Sequence, residues 1–351
     1  MKKILSSSFL ILFLFVSTYL LFIYPFDIFK IWTEEKSINW PYSLISTIIT
    51  FLIVRAYFST KITFMPIRIF VCEGIGIGFI ALNLICIILI MDLFMKWDGI
   101  VKSNIFLISF TTLVLFGYIS TSFLRIKTIK IQSKKIIEKK HIVFISDIHL
   151  GSNSIKHLKK IIKKINFLNP DLILIGGDLI DSSSFKIDKL SVLNELKIPI
   201  YFVTGNHEYY LKNSKKKIEK LKNFNINILD NESILLEKIN LIGISDNQNL
   251  ENQKKIFFSK KINHFFNLCL VHKPSLWKSI KGEADLMLSG HTHNGQIFPF
   301  NFLVKLQFKE KYGLYKHINS LLFVSSGSGT WGPKIRLGSF NEVISIILNP
   351  I

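Results

Sequence analysis

The stretch with the greatest capacity for chemistry is Ser289-Gly290-His291-Thr292-His293-Asn294-Gly295. Two imidazoles one residue apart follow Ala284-Asp285-Leu286-Met287-Leu288, an apolar run that reads as a buried strand. Neutral imidazole is the commonest metal ligand, and a chain leaving a strand can aim alternate side chains into one site. By itself His-x-His also fits two solvated loop histidines. Four more clusters decide between these readings: Asp147-Ile148-His149, Gly177-Asp178, Gly205-Asn206-His207-Glu208 and His272. Each stands just after an apolar, strand-like run.

Collected together, Asp147, His149, Asp178, Asn206, His207, His272, His291 and His293 offer more donors than one tetrahedral ion needs. They suit two octahedral ions with room for water. No cysteine is among them, which disfavours a structural zinc site and favours Mn²⁺, Fe or Zn²⁺ in a catalytic role. A pair of divalent ions about 3.5–4 Å apart activates water and clamps both oxygens of a phosphoryl displacement.

The elements that must position these groups follow from the spacing of apolar residues. Strands are predicted over 141–146, 172–175, 200–203, 267–271 and 285–288, each ending at one of the clusters. A helix is predicted over 155–168, stopped by Asn169-Pro170, with another around 186–196 and a basic one over 209–224. Short strand-like runs at 227–229, 234–236 and 241–244, then 322–324 and 343–348, complete a mixed α/β domain. Ligands at the same ends of neighbouring strands converge, as sites on open α/β sheets do.

The order Asp-x-His, Gly-Asp, Gly-Asn-His-Glu, His, Gly-His-x-His over residues 140–351 resembles the calcineurin-like metallophosphoesterase superfamily. Gly-His-Thr-His-Asn-Gly-Gln at 290–296, Phe298-Pro299 and the Gly-rich stretch from Ser326 to Arg336 look like its bacterial membrane-attached branch. That branch includes enzymes similar to the UDP-2,3-diacylglucosamine pyrophosphohydrolases of lipid A synthesis. The resemblance implies a two-sheet β-sandwich flanked by helices. It also implies one metal on Asp147, His149 and His293, a second on Asn206, His272 and His291, and Asp178 bridging both. His207 would serve as general acid or charge stabiliser at the leaving oxygen, a role that contributes about 10²–10⁴-fold.

Residues beyond the motifs carry alternatives. Asp181 and Glu208 suit hydrogen bonding behind the ligands, or solvated loops. Asp246 reads as a loop cap or a site-edge residue, and Arg336 as a phosphate contact or a surface side chain. His141, His157, His264 and His317 lie outside every motif. Ile297–Leu303, directly after the metal loop, could be an apolar cap or a buried loop.

The first 124 residues are of another kind. Only nine of the 44 Lys and Arg and six of the 24 Asp and Glu fall there, among long apolar runs. A helix crosses the hydrocarbon layer with about 20 mostly apolar residues, and residues 4–24, 41–60, 69–94 and 105–124 meet that length. The first lacks a small-x-small cleavage site before Tyr24-Pro25, so an uncleaved span is expected. Glu73 is the one acid that could sit within lipid, and Gly74-x-Gly76-x-Gly78 permits close helix packing. Residues 125–140 form a basic juxtamembrane linker, with Lys127–Lys140 readable as a lipid-facing strap or as a first strand plus linker. Lys and Arg are densest before span one and after span four, which places the catalytic domain (141–351) in the cytoplasm of a bacterial inner-membrane protein. Cys72, Cys86 and Cys269 all lie in apolar runs and give no disulfide framework.

The net charge of +20 sits mostly after residue 124 and suits an anionic partner or a solvated lysine-rich surface. The expected protein is a four-helix transmembrane bundle followed by an α/β metallophosphoesterase domain. It would act with two divalent ions, Mn²⁺ favoured, on a phosphodiester or pyrophosphate. The candidate substrate is a lipid-linked nucleotide such as UDP-2,3-diacylglucosamine, split to lipid X and UMP, with membrane lipids as further partners. A general or cyclic-nucleotide phosphodiesterase is the enzymatic alternative, and a membrane scaffold the non-enzymatic one. Four membrane spans argue against a nucleic-acid polymer as partner.

Overall fold

The computed structural model describes residues 8–60 and 64–351, so residues 4–7 of the first expected span lie outside the described residues. The chain forms two compact units. One comprises residues up to Ser120 together with Gly332–Leu337, and the other comprises Thr121–Trp331 and Gly338–Ile351.

The first unit holds four helices long and apolar enough to cross a membrane: α1 (Ser8–Glu34), α2 (Trp40–Ser59), α3 (Met65–Met95) and α4 (Gly99–Ser122). Each overlaps one of the four expected spans; α3 contains 69–94 whole and α1 runs ten residues past 24, whereas α4 ends at Ser122, short of 124, where β1 takes over. Helix α1 continues through Pro25 because a π turn over Tyr19–Ile23 has already loosened the hydrogen-bond ladder there. The glycines of α3 pack against that turn: a Cβ at Gly78 would overlap the Leu21 carbonyl, and one at Gly74 the ring of Phe22. The buried Asp27 carboxylate accepts from the Ser43 hydroxyl at 2.8–2.9 Å. Glu73 is a bonded group rather than a solvated one: it accepts from the Tyr118 hydroxyl at 2.8 Å and from the backbone N–H of Lys334 at 3.1 Å. Arg336 is buried in this same unit, its N–H donating to the Gly117 carbonyl at 3.0 Å. Its burial rules out the surface-side-chain reading of Arg336.

The second unit is a sandwich of two six-stranded sheets. In chain order the strands are β1 (Leu124–Gln132), β2 (Lys140–Ile145), β3 (Leu172–Ile175), β4 (Ile200–Phe202), β5 (Ile226–Ile228), β6 (Glu232–Leu236), β7 (Ile239–Ile244), β8 (Phe266–Val271), β9 (Leu286–Ser289), β10 (Gly313–His317), β11 (Ser320–Val324) and β12 (Asn341–Asn349). The first sheet runs β1-β12-β2-β3-β4-β5 and the second β10-β11-β9-β8-β7-β6. Alternation along each strand sorts its side chains between two layers. Ile142, Phe144, Leu172 and Leu174 meet Leu268, Leu270, Leu286 and Leu288 between the sheets. Val143, Ile145, Ile173 and Ile175 point the other way, onto Leu158, Ile161, Ile162 and Ile165 of α5 (Ile155–Leu168). The remaining α helices are α6 (Asn206–Tyr210), α7 (Ser214–Lys220), α8 (Leu250–Lys260), α9 (Trp277–Ile280) and α10 (Phe300–Gln307).

Of the two readings of Lys127–Lys140, the first strand plus linker is the one found: β1 pairs in parallel with β12 from Leu124↔Asn341 to Gln132↔Asn349, its alternating Ile side chains giving one face to bury. Two other expectations need correction. The helix around 186–196 is a 3₁₀ segment, Ile187–Glu195. The basic helix over 209–224 is broken by Asn213 in the left-handed conformation, leaving α6, α7 and a terminal 3₁₀ turn. Helices α8 and α10 and strand β10 lack a counterpart among the expected elements.

Phe144 is fully buried between the sheets, beneath the loop that carries Asp147. Phe144→Ala is expected to destabilise the folded domain by about 3–5 kcal/mol, measured as a shift in the denaturation midpoint of the detergent-solubilised chain.

Candidate metal centre

Register brings the ligands together. Ile145 pairs with Ile175 and Ile175 with Phe202, so β2, β3 and β4 end side by side, and Asp147, Asp178 and Asn206 follow within a few residues. In the facing sheet Leu270 pairs with Leu288, aligning the ends of β8 and β9 ahead of His272 and His291. Cross-sheet bonds fix the junction. The Nδ1–H of His272 donates to the Gly176 carbonyl at 2.8 Å, turning Nε2 inward, and the N–H of His291 donates to the Asp147 carboxylate at 3.0–3.1 Å.

Two triads of candidate donors result, Asp147–His149–His293 and Asp178–His272–His291, and a third group, His149–Asp178–His207, overlaps both; in each the ligand atoms lie within 4.8 Å of one another. The Nε2 atoms of His149 and His293 are 3.1 Å apart, and Nδ1 of His291 is 3.2 Å from Nε2 of His272. Two nitrogens sharing one ion at about 2.0–2.1 Å stand about 3.0–3.4 Å apart, so both pairs have the spacing of ligands. The Asp178 carboxylate reaches both triads, with Oδ2 3.2 Å from His272 Nε2 and 3.8 Å from His149 Nε2. Asn206 adds a buried Oδ1 that has no hydrogen-bond partner. An orphaned buried oxygen facing such a donor set is what an oxygen-binding cation would satisfy.

His207 stands slightly apart. Its Nε2 is 3.9 Å from Asp178 Oδ2, its side chain is partly open to solvent, and its ring meets the rings of His149, Tyr210 and Trp331 at centroid distances of 4.8, 5.4 and 5.6 Å. Tyr210 and Trp331 are half-exposed, so two aromatic walls flank the open side of this imidazole. Sequence reading passed over both, because an isolated aromatic after a motif looks like core.

The carboxylates behind the ligands have defined partners. Glu208 is buried and accepts from the N–H groups of Gly205 at 2.7 Å and of Asp178 and Ile180 at 3.0 Å, locking two ligand loops together. Asp181 faces Nδ1 of His149 at 3.7 Å and accepts from the Ser152 N–H and hydroxyl. Asp246 lies at the site edge, paired at 2.7 Å with Lys273, the residue after His272. His141 and His157 are hydrogen-bonded elsewhere in the domain and His264 is exposed, so none of these three joins the centre.

The backbone here is strained. Asp147, His149, Asp178, His291 and His293 all have positive φ, between 49° and 73°. Left-handed conformation in residues other than glycine costs about 1–3 kcal/mol each and clusters at functional sites. Two glycines are required by close approach instead: a Cβ at Gly205 would overlap Asp178 Oδ1, and one at Gly290 would overlap Asp147 Oδ2.

Dryness and crowding set the proton affinities. Burial, and then the charge of His272, push His291 down to about 3, and burial and neighbouring His207 push His149 well below the usual imidazole value. Both are therefore neutral ligands. His272 is the opposite case: burial works against its charge, but the Asp178 carboxylate outweighs it and raises the group to about 10. Burial raises Asp147 to about 6. Burial, then the charge of Asp178, raise Glu208 to about 8 against the pull of its N–H donors. A cation on Asp178 would remove that repulsion.

Two outcomes follow from this geometry. Gly290→Ala should displace the Asp147 carboxylate and lower bound metal sharply while the two-sheet domain stays folded, read by elemental analysis beside circular dichroism. Because His272 holds a proton below about 10, metal binding at neutral pH must expel it. Affinity at the Asp178–His272–His291 site should therefore fall by about tenfold per unit as pH drops, with about one proton released as that site is loaded. Calorimetry in buffers of different ionisation enthalpy measures that release.

Relatives carry the same arrangement in name. Residues 140–295 match the family model described as calcineurin-like phosphoesterase. An uncharacterized metallophosphoesterase of Helicobacter pylori is 37% identical over 238 residues, 64% of each chain. An uncharacterized metallophosphoesterase of Bacillus subtilis is 31% identical over 253 residues, 64% of this chain and 90% of the relative. A transmembrane protein with metallophosphoesterase domain of Danio rerio is 32% identical over 232 residues, 59% of this chain and 52% of the relative. The chain thus spans less than two thirds of the length of the Helicobacter relative and about half of the fish one. With the motifs, the two-sheet fold and these relatives in agreement, the chain belongs to the calcineurin-like metallophosphoesterase family.

Proposed function

We propose that this is a membrane-anchored, two-metal phosphoesterase that hydrolyses a phosphodiester or pyrophosphate bond. The observation that carries the reading is the pair of buried donor triads, Asp147–His149–His293 and Asp178–His272–His291, meeting across Asp178. Asp147, His149 and His293 would hold one divalent ion and Asn206, His272 and His291 the other, with Asp178 between the two sets. Such ions, when bound, would supply Lewis acidity and an activated water for displacement at phosphorus. The chain's own groups do the rest. The carboxylates and the neutral imidazoles of His149 and His291 set where the ions sit. His207 offers Nε2 to the leaving oxygen from the solvent-facing side, and the rings of Tyr210 and Trp331 confine what can stand beside it. Mn²⁺ is the favoured ion, with Fe or Zn²⁺ also suited to this N/O donor set.

The substrate is a phosphate ester of a membrane lipid, with UDP-2,3-diacylglucosamine, cleaved to lipid X and UMP at the cytoplasmic leaflet of a bacterial inner membrane, as the specific candidate. Four long apolar helices and a basic domain support that reading. A general or cyclic-nucleotide phosphodiesterase is the second reading, favoured by the partly open approach to His207. A non-catalytic scaffold has no support from the site, since no candidate ligand is missing.

Detergent-purified protein with Mn²⁺ should release UMP from UDP-2,3-diacylglucosamine, and Asp178→Asn should abolish metal-dependent hydrolysis of any substrate. His207→Ala should lower turnover by about 10²–10⁴-fold with metal content unchanged. Hydrolysis of bis(p-nitrophenyl) phosphate without UMP release would keep the chemistry and reject the lipid nucleotide. An active Asp178→Asn variant would sink the two-metal reading.

A further inference from the structure

Beyond the metal ligands, one feature of the second unit has no role in folding it. Fifteen large apolar side chains of residues 124–351 are exposed, and five of them fall within nine residues: Phe298, Phe300, Phe302, Leu303 and Leu306. Leu306 is 83% exposed and Phe302 59%, values far from those of a core helix. Phe302, Leu303 and Leu306 share one face of α10 by their i, i+3 and i+4 spacing. The apolar stretch after the metal loop is therefore neither a buried loop nor a closed cap.

Both ends of this excursion are fastened to the metal loop. At its start the Asn301 backbone lies against Gly295, where a Cβ would overlap it. At its end the Phe308 ring sits 5.2 Å from that of His291, and the Thr292 hydroxyl donates to the Lys311 carbonyl. A force on α10 is therefore delivered to the residues that hold His291 and His293.

We propose that Phe298 and the apolar face of α10 seat in the interfacial layer of the lipid leaflet, holding the metal centre at the bilayer surface. The occupant is lipid rather than a protein partner for two reasons. The chain leaves its last membrane-length helix at Ser122 and enters β1 at Leu124, so a single residue of at most about 3.6 Å reach separates this domain from a span. The flanks of α10 are basic, with Lys305, Lys309 and Lys311 against Glu310 alone. Long basic side chains beside exposed Phe and Leu are the composition of a helix lying in an anionic interface, where the ammonium groups reach the headgroups and the stems stay apolar. The proposal deepens the reading of a membrane-anchored phosphoesterase: a lipid phosphate ester would reach the metal loop from within the leaflet.

The test reads lipid contact and requires neither metal nor turnover, so its failure is distinct from failure of the hydrolase reading. The environment-sensitive fluorophore NBD is attached at Leu306→Cys in the full chain, with Cys72 and Cys86 replaced by Ala, in nanodiscs of phosphatidylcholine and phosphatidylglycerol. The expected result is a blue-shifted emission that is lost when the lipids carry a doxyl quencher high on the acyl chain. The same probe at Ile318→Cys, which is 70% exposed in the β10–β11 turn, should stay unshifted and unquenched. Red, unquenched emission at both positions overturns the proposal. So does a blue shift without lipid quenching, which would mean a protein partner or second copy covers α10. Equal quenching at both positions would mean unspecific adsorption and overturns it too.

Discussion

Two carboxylates and four imidazoles crowd into one largely buried volume where the ends of five strands meet, and that crowding governs the rest of the structure. Without cations the groups are in conflict. Asp178 needs His272 charged, and burial together with the charge on His272 drives His291 to about 3. Burying ionised groups costs several kcal/mol apiece unless each finds an opposite charge. The donor spacings of 3.1–3.2 Å and the orphaned oxygen of Asn206 leave room for such charges among the ligands. The sandwich is the means of holding this arrangement: a layer of Ile, Leu and Phe between two sheets is stiff enough to carry five left-handed non-glycine residues at its rim.

Strain and support are distributed unequally around the centre. The loops after β2, β3 and β9 carry the positive-φ ligands, whereas Asn206 and His272 have ordinary backbones. The strained loops are also the ones tied by extra bonds. Glu208 gathers three N–H groups from the loops after β3 and β4, Asp181 takes both donors of Ser152, and the Asp147 carboxylate takes the N–H of His291. Bonds to a charged acceptor contribute about 1.5–3 kcal/mol each, the scale needed to offset about 1–3 kcal/mol of left-handed strain per residue.

Much of this was legible in the sequence, and the reasons are physical. Strands β3 and β8, and the helix over Ile155–Leu168, are buried on both faces or sharply amphipathic, so their apolar spacing announces them nearly to the residue. The donors were legible because polar groups directly after such runs have no structural reason to be there. What escaped was set by partners distant in sequence. Strand β1 reads equally as a lipid-facing strap or a first strand until β12, more than 200 residues later, supplies its ladder. Tyr210 and Trp331 become walls of the site only once β4 and the Gly-rich stretch converge on His207. The left-handed ligands carry no local signal, since Asp and His at those positions are dictated by what they must bind.

After Trp331 the chain passes from one compact unit to the other. Gln296, three residues past His293, exchanges two hydrogen bonds of 3.0 Å with the backbone of Trp331, whose ring stands beside His207. The next six residues, Gly332–Leu337, belong with the helices: the N–H of Lys334 donates to Glu73, that of Arg336 to the Gly117 carbonyl, and the Arg336 carbonyl accepts from the Ser120 hydroxyl. Glu73 of α3 therefore satisfies the backbone of a segment that begins one residue after Trp331. An unpaired N–H in such surroundings costs about as much as a lost hydrogen bond. Glu73 is thus explained by the needs of that returning segment, without assigning it a place in any path across the membrane.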